Sequence, residues 1–200
     1  MPAADQPVKA VMALDPATRA TMLAAVPRLR AFALALCRNR DRADDLVQET
    51  IVRACDSIDT FRPGTNMSAW LTTILRNRFY SEHRRRWREV EDVGGAQAAT
   101  LMTLPDQVAS LEHKELRAAL ARLPDDMREV LHLVFVSGLS YAEAGQVCGC
   151  AVGTIKSRVH RARARLVDML SIKNPADFFD DPIPQAVVIA AEHRRTHHAV

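Results

Sequence analysis

Between residues 89 and 110 the chain loses all periodicity. Gly94-Gly95, a run of small residues and Pro105 replace the apolar spacing found on either side. A stretch of this kind reads as a linker, and 200 residues then divide into two small units rather than one core. The flanking segments repeat with helical spacing and are rich in Ala, Leu, Arg and Glu, while aromatics are only 5%. That favours helix over a β-sandwich. The expected fold class is all-α: two small helical domains joined by a flexible linker, with no strand and no internal repeat. The expected boundaries are a first domain at 10–88, a linker at 89–110, a second domain at 111–170 and a tail at 171–200.

Start and stop signals place the helices. Asp15-Pro16 opens the first, which runs to Arg38 with a break or kink expected at Pro27. Asp41 opens the second, with Leu46, Ile51, Cys55 and Ile58 as its apolar stripe. Turn residues from Phe61 to Asn66 form a loop, and Asn66 can cap a third helix from Met67 to about Trp87. Trp70, Leu71, Ile74, Leu75 and Phe79 share its apolar face. In the second block, helices are expected at 111–123 and 124–136, with Gly138 ending the latter. Ser140-Tyr-Ala-Glu143 is a capping box opening a short helix. Cys148-Gly-Cys150 then makes a tight turn into a last long helix, 151–170, with Ile155, Val159, Leu166 and Leu170 inward.

Enzymatic chemistry finds no foothold. There is no nucleophile triad, phosphate-binding loop or HExxH spacing. Cys37, Cys55, Cys148 and Cys150 read as reduced thiols, because Cys148 and Cys150 lack a second ligand pair at matching distance. His193, His197 and His198 match no metal motif. No catalytic residue, metal or cofactor is expected. Residues 1–14 show no signal peptide, and the longest apolar runs, such as 186–191, fall short of the ~20 residues a membrane helix needs. A cytoplasmic protein without a membrane association is the expectation.

The net charge of +3 conceals a strong segregation. From Arg76 to Arg88 there are six arginines against one acid, Glu82. From Thr154 to Val167 five basic residues stand without any acid. From Asp41 to Thr60 six acids face Arg42 and Arg53. Arginine-rich helices suit phosphates, whereas an acidic face suits a basic protein partner.

The second basic cluster sits in helix-turn-helix order: a short capped helix, a turn at Gly149, then a long basic helix. Lys156, His160 and Arg163 fall at i, i+4 and i+7 with Ser157 and Arg161 alongside, which predicts one outward stripe. Such side chains can read base edges in the major groove. In the first cluster Trp70, Phe79, Tyr80 and Trp87 are interleaved with arginines, Thr73 and Asn77. Aromatics beside cations suit unstacked bases, but Trp70 and Phe79 share the apolar stripe and read first as core.

These residues resemble the sigma-70 family of RNA polymerase factors. Ala43-Asp-Asp-Leu-Val-Gln-Glu-Thr50 is similar to the core-polymerase-binding segment of sigma domain 2. Ser68-Ala-Trp-Leu-Thr-Thr-Ile-Leu-Arg-Asn-Arg78 is similar to its promoter-melting, −10-reading helix. Leu139 to Ala144, followed by Cys150 to Arg163, resembles the helix-turn-helix of sigma domain 4. With these two domains alone, the chain resembles an extracytoplasmic-function (ECF) sigma factor. Ile74 to Asp92 and Cys148 to Lys156 resemble, more narrowly, the general-stress-response group of alphaproteobacteria. That group works under a NepR-type anti-sigma factor, released by a PhyR-type response regulator.

The resemblance implies roles by position. Asp44, Asp45, Gln48 and Glu49 would dock on the clamp helices of the polymerase β′ subunit. Phe61, Arg62, Asn66 and Asn77 would hold an extruded −10 base, with Arg76, Arg78, Arg84 and Arg85 neutralising phosphates. Lys156, Ser157, His160 and Arg161 would enter the −35 major groove, supported by Arg163. The implied partners are core polymerase, promoter DNA and an anti-sigma factor. A dimeric helix-turn-helix regulator, or a sigma-like adaptor that recruits no polymerase, are the rival readings. The first leaves the acidic and Arg-rich helices idle. The second conflicts with the eleven basic residues kept on the two DNA faces.

Overall fold

The computed structural model describes residues 14–91 and 111–171. Every described element is helical, and the chain divides into two compact units, Met1–Leu104 and Pro105–Val200. Residues 92–110 of the expected linker, and the tail from 172 with its acidic and histidine-rich stretches, lie outside the described residues.

The first unit packs three helices against one another: α1 (Pro16–Cys37), α2 (Arg40–Asp56) and α3 (Met67–Glu91). The Asp15 carboxylate accepts from the backbone N–H groups of Ala17 and Thr18, which fixes the start of α1. Met22, Leu29 and Phe32 from α1, Leu46, Val47 and Ile51 from α2, and Leu71 and Leu75 from α3 are buried. Thr50 sits among them and satisfies its hydroxyl by donating to the Leu46 carbonyl at 2.6 Å.

Three expectations change here. Pro27 does not break α1, which is continuous across it. The carbonyl it leaves without a helical donor is that of Leu23, an exposed residue, so water can reach it. The second helix starts at Arg40, because Asn39 rather than Asp41 supplies the cap, accepting from the Arg42 N–H at 2.8 Å. Finally, α3 extends to Glu91, three residues into the expected linker.

By length and composition α1 is also apolar enough to cross a membrane, which the search for uninterrupted runs misses because arginines punctuate it. Its buried stripe of Met22, Ala25, Leu29, Phe32 and Ala33 makes it a core helix of this unit.

The second unit contains α4 (Leu111–Arg122), α5 (Asp125–Leu131), α6 (Tyr141–Cys148) and α7 (Val152–Met169). The long α7 packs on α4, α5 and α6. Ile155, Val159, Ala162 and Leu166 form its buried stripe against Leu131, Leu133, Leu139, Ala144 and Val147. Leu170, expected inward, is only half-buried, because α7 ends one residue before it.

The helix expected over 124–136 is composite: after Leu131 it widens into a π-helical turn, His132–Val136. There the Ser137 N–H reaches back five residues to the His132 carbonyl at 2.8 Å. Arg128, only 9% exposed, donates to the carbonyls of Leu123 and Ala121 at 3.1 and 3.5 Å and pairs with Asp125. It thereby satisfies the end of α4 from the start of α5.

Candidate nucleic-acid and partner interfaces

The acidic face of α2 is less uniform than its sequence. Asp45 and Gln48 are exposed. Asp44 instead accepts two hydrogen bonds from Arg30 of α1, Nε to Oδ1 and Nη2 to Oδ2, both at 2.5 Å. Glu49 accepts from Nε of Arg78 on α3 at 2.7 Å. Two of the four carboxylate and amide residues thus face outward, while the other two also hold neighbouring helices.

The Glu49–Arg78 contact is one rung of a ladder. Arg78 Nη2 lies 2.7 Å from Glu82 one turn further along α3, and Glu82 pairs in turn with Arg42 of α2. Glu82, the lone acid among six arginines, is the hub of this network. Its partner Arg42 lies 40 residues away in the sequence, so helical spacing carries no signal for the pairing.

On α3, Asn77, Arg84 and Arg85 are exposed. The Arg76 guanidinium lies 4.7 Å from the centroid of the Tyr80 ring, which steers it along the helix. Trp70 and Phe79 are half-buried, while Met67, Leu71, Thr72 and Leu75 form the buried stripe. The Trp70 ring packs against Phe61 at 5.3 Å, and Phe79 meets Tyr80 edge-on at 5.3 Å. An open cleft of about 560 Å³ lies beside Asn77, lined by Ile74, Arg78 and Ser81 of α3 and by Arg53, Asp56 and Ser57 from the end of α2. Arg53 and Ser57 were not among the expected site residues; only the packing of α2 on α3 brings them to Asn77. The side chains of Arg86, Trp87 and Arg88 lie outside the described ones.

The 61–66 loop is tied at both ends. Phe61 is held by Trp70, and Asn66 Oδ1 accepts from the Ser68 N–H at 3.0 Å. Between them the Arg62 carbonyl accepts from both the N–H and the hydroxyl of Thr65, at 3.1 and 2.7 Å. Arg62 itself projects into solvent.

In the second unit the capping box forms as expected: Ser140 Oγ accepts from the Glu143 N–H at 3.2 Å, and the Glu143 carboxylate accepts from the Ser140 N–H at 2.7 Å. Gly149 takes the left-handed conformation, φ +66°, that ends α6. Gly145 matters through space: a Cβ there would sit 2.9 Å from the Cys150 carbonyl oxygen. The turn therefore closes onto bare backbone, a requirement that the helical spacing of α6 does not reveal.

Lys156, Ser157, His160 and Arg161 are all exposed along α7. Arg161 Nε donates to the Ser157 carbonyl at 3.3 Å and Ser157 Oγ donates to that of Thr154 at 2.9 Å. Arg163 departs from the expected outward stripe. It is half-buried, with its guanidinium 4.7 Å from the centroid of Phe135 in the π-turn. Its neighbour Ala162 and the residue one turn earlier, Val159, are both core, so position 163 borders the packed face. Arg158 turns back as well, 3.3 Å from Asp126 of α5.

His132 contributes a titratable group to this unit. Burial, with the Arg128 charge adding to it, pulls its pKa down to about 4. Among the described residues no three His, Cys, Asp or Glu side chains gather as a metal site, and none of Cys37, Cys55, Cys148 and Cys150 forms a disulfide.

Comparison with known proteins matches these units in order. Residues 22–89 match the Sigma-70 region 2 family and residues 113–166 match Sigma-70, region 4. The ECF RNA polymerase sigma factor EcfG of Rhodopseudomonas palustris is 56% identical over 177 residues, covering 88% of this chain and 98% of that protein. The ECF RNA polymerase sigma factor SigE of Mycolicibacterium smegmatis is 36% identical over 72% of this chain and 58% of its own length. Among solved structures, the sigma factor RpoE of Bartonella quintana, in complex with the anti-sigma factor NepR, superposes with a TM-score of 0.71 at 44% identity, covering 80% of this chain and 100% of that one.

Proposed function

Because this chain belongs to the extracytoplasmic-function group of sigma-70 RNA polymerase sigma factors, we propose that it recruits core polymerase through α2 and reads promoters through α3 and α7. It is a promoter-specificity subunit working in the cytoplasm, with no catalytic chemistry of its own. The observation that carries this reading is the pairing of an outward Lys156–Ser157–His160–Arg161 stripe in one unit with outward Asp45 and Gln48 in the other.

Each surface has its own chemistry. Asp45 and Gln48 approach the clamp helices of the β′ subunit directly, while Asp44 and Glu49 add charge from positions braced by Arg30 and Arg78. Phe61, Arg62 and Asn66, with Asn77, receive an extruded −10 base, which offsets a few kcal/mol of unstacking. Arg76, Arg84 and Arg85 neutralise phosphates nearby, and Arg78 serves by holding α3 against α2. Lys156, Ser157, His160 and Arg161 enter the −35 major groove, with Arg163 supporting the helix from behind. By analogy with the neighbour bound to NepR, a NepR-type anti-sigma factor holds this protein inactive until a general stress releases it.

In vitro transcription with purified core polymerase and a promoter library tests the reading. Start sites sharing −35 and −10 elements are expected. Transcription from none of them, together with no binding to core enzyme, would overturn it. A helix-turn-helix regulator acting without polymerase would instead bind palindromic DNA and leave α1–α3 without a role.

A further inference from the structure

Two helical stripes face each other across the open cleft beside Asn77. Arg53, Asp56 and Ser57 fall at i, i+3 and i+4 on α2, and Ile74, Asn77 and Ser81 at i, i+3 and i+7 on α3. At about 560 Å³ the cleft is within the ~300–1,000 Å³ range of small-ligand sites.

The groups around it differ in what they can bond. Ser57 Oγ donates its hydrogen to the Arg53 carbonyl at 2.7 Å, so it offers the cleft lone pairs. The Asp56 carboxylate is exposed and only accepts, whereas the exposed Asn77 amide both donates and accepts. Arg78 is committed to Glu49 and Glu82, which leaves Arg53 as the exposed cation lining the cleft. Asp56 is also the last residue of α2, where a carboxylate meets the negative end of the helix dipole. Helix stability therefore does not account for it.

A ligand complementary to this set brings an anion for Arg53 and a hydrogen-bond donor for Asp56 and Ser57. A basic side chain of the polymerase would suit Asp56 but be repelled by Arg53. A nucleotide with an amino-bearing base carries both features. We infer that the cleft takes one nucleotide of the −10 element, with Arg53 on its phosphate and Asp56, Ser57 and Asn77 on the amino group of adenine or cytosine. Guanine and thymine present a carbonyl oxygen at that place on the major-groove edge, which the Asp56 carboxylate opposes. The end of α2 thus shares in reading the promoter. The assignment rests on the reading of Asn77 as a −10 contact.

The test is promoter selection by holoenzyme, core polymerase plus the full chain, from a library randomised across the −10 element. Asn77→Ala first marks the position that Asn77 reads, as the one where base preference collapses. There the unmutated protein is expected to favour adenine or cytosine over guanine and thymine by about fivefold or more. Asp56→Asn replaces an acceptor by a group that also donates, and should cut that preference to about twofold or less, with other positions unchanged. It removes a charge that the helix dipole opposes, so thermal stability should hold. Arg53→Gln should lower the slope of log affinity against log salt by about 0.7–0.9, the share of one phosphate contact, and Arg53→Lys should keep it.

No preference for adenine or cytosine at that position overturns the inference. So does unaltered selection by Asp56→Asn, or an unaltered salt slope in Arg53→Gln. Loss of core affinity in either variant with selection intact also overturns it, and would make the cleft a polymerase contact. Failure of the underlying reading looks different: Asn77→Ala would then change no position, and the cleft would lose its assignment with it.

Discussion

Glu49 on α2 accepts the Nε hydrogen of Arg78 on α3 at 2.7 Å. The bond joins two residues expected to meet different partners, polymerase for one and promoter phosphate for the other. Their side chains are 37% and 29% exposed, so solvent screens the pair and it contributes modestly to stability. Its larger effect is on register: it sets which face of α3 is turned away from α2, and Asn77, the residue before Arg78, is exposed on that helix.

A double-mutant cycle measures this coupling. Glu49→Gln and Arg78→Gln, singly and together, are expected to show an interaction energy below about 1 kcal/mol in urea unfolding. Arg78→Gln should slow promoter opening while leaving the salt slope of holoenzyme binding intact. A slope reduced by a full contact would return Arg78 to the phosphate-binding set.

On α7 the exposed and half-buried basic residues should separate in their effects. Lys156→Ala and Arg161→Ala are each expected to weaken −35 recognition by about 1–3 kcal/mol with little change in thermal stability. Arg163→Ala removes the guanidinium from the Phe135 ring and should cost about 0.5–1 kcal/mol of stability, with a smaller loss of −35 affinity. Competition binding against mutated −35 elements, alongside thermal unfolding, distinguishes the two patterns.

Two glycines of the helix-turn-helix should respond in opposite directions to alanine. Gly145→Ala drives a methyl group against the Cys150 carbonyl, and the cost of moving that turn is expected at about 1–3 kcal/mol. Gly153, inside α7, has no atom within 4 Å of its missing Cβ. Gly153→Ala should therefore stabilise the protein by about 0.5–1 kcal/mol. Thermal denaturation of the two variants reads both signs.

His132 makes stability pH-dependent with a defined direction. In the unfolded chain it titrates near 6.5, and in the fold near 4. As pH falls the unfolded chain takes up the proton first, so stability present above about pH 6.5 is lost progressively toward pH 4. The loss across this window is expected on the order of a few kcal/mol. His132→Gln should flatten this part of the pH profile in chemical denaturation, and an unaltered profile would assign the effect elsewhere.

Local chemistry was legible from the residues themselves. Asp15, Asn66 and the Ser140–Glu143 box cap helices because capping involves groups only two or three residues apart. Gly138 and Gly149 mark the ends of their elements for the same reason. What escaped was whatever depends on another helix. Trp70 looked like core on periodicity, yet it is half-buried because Phe61, from a loop, covers it. Arg163 looked outward because an arginine stripe extrapolates that way, and only the position of Phe135 shows otherwise. The ladder through Glu82 was invisible because Arg42 and Glu49 approach it only after folding. The break expected at Pro27 does not occur: α1 continues through it, and the carbonyl left without a helical donor belongs to exposed Leu23.

The tethering of the 61–66 loop bears on the timing of promoter melting. A loose six-residue segment would have to surrender about 1–2 kcal/mol of backbone freedom per residue at the moment it closes on DNA. With Phe61 against Trp70, Thr65 bonded to Arg62 and Asn66 locked into the helix start, that surrender takes place during folding. If the loop receives promoter DNA as proposed, it would meet it as a finished mould, and binding energy would go into opening the DNA rather than shaping the protein.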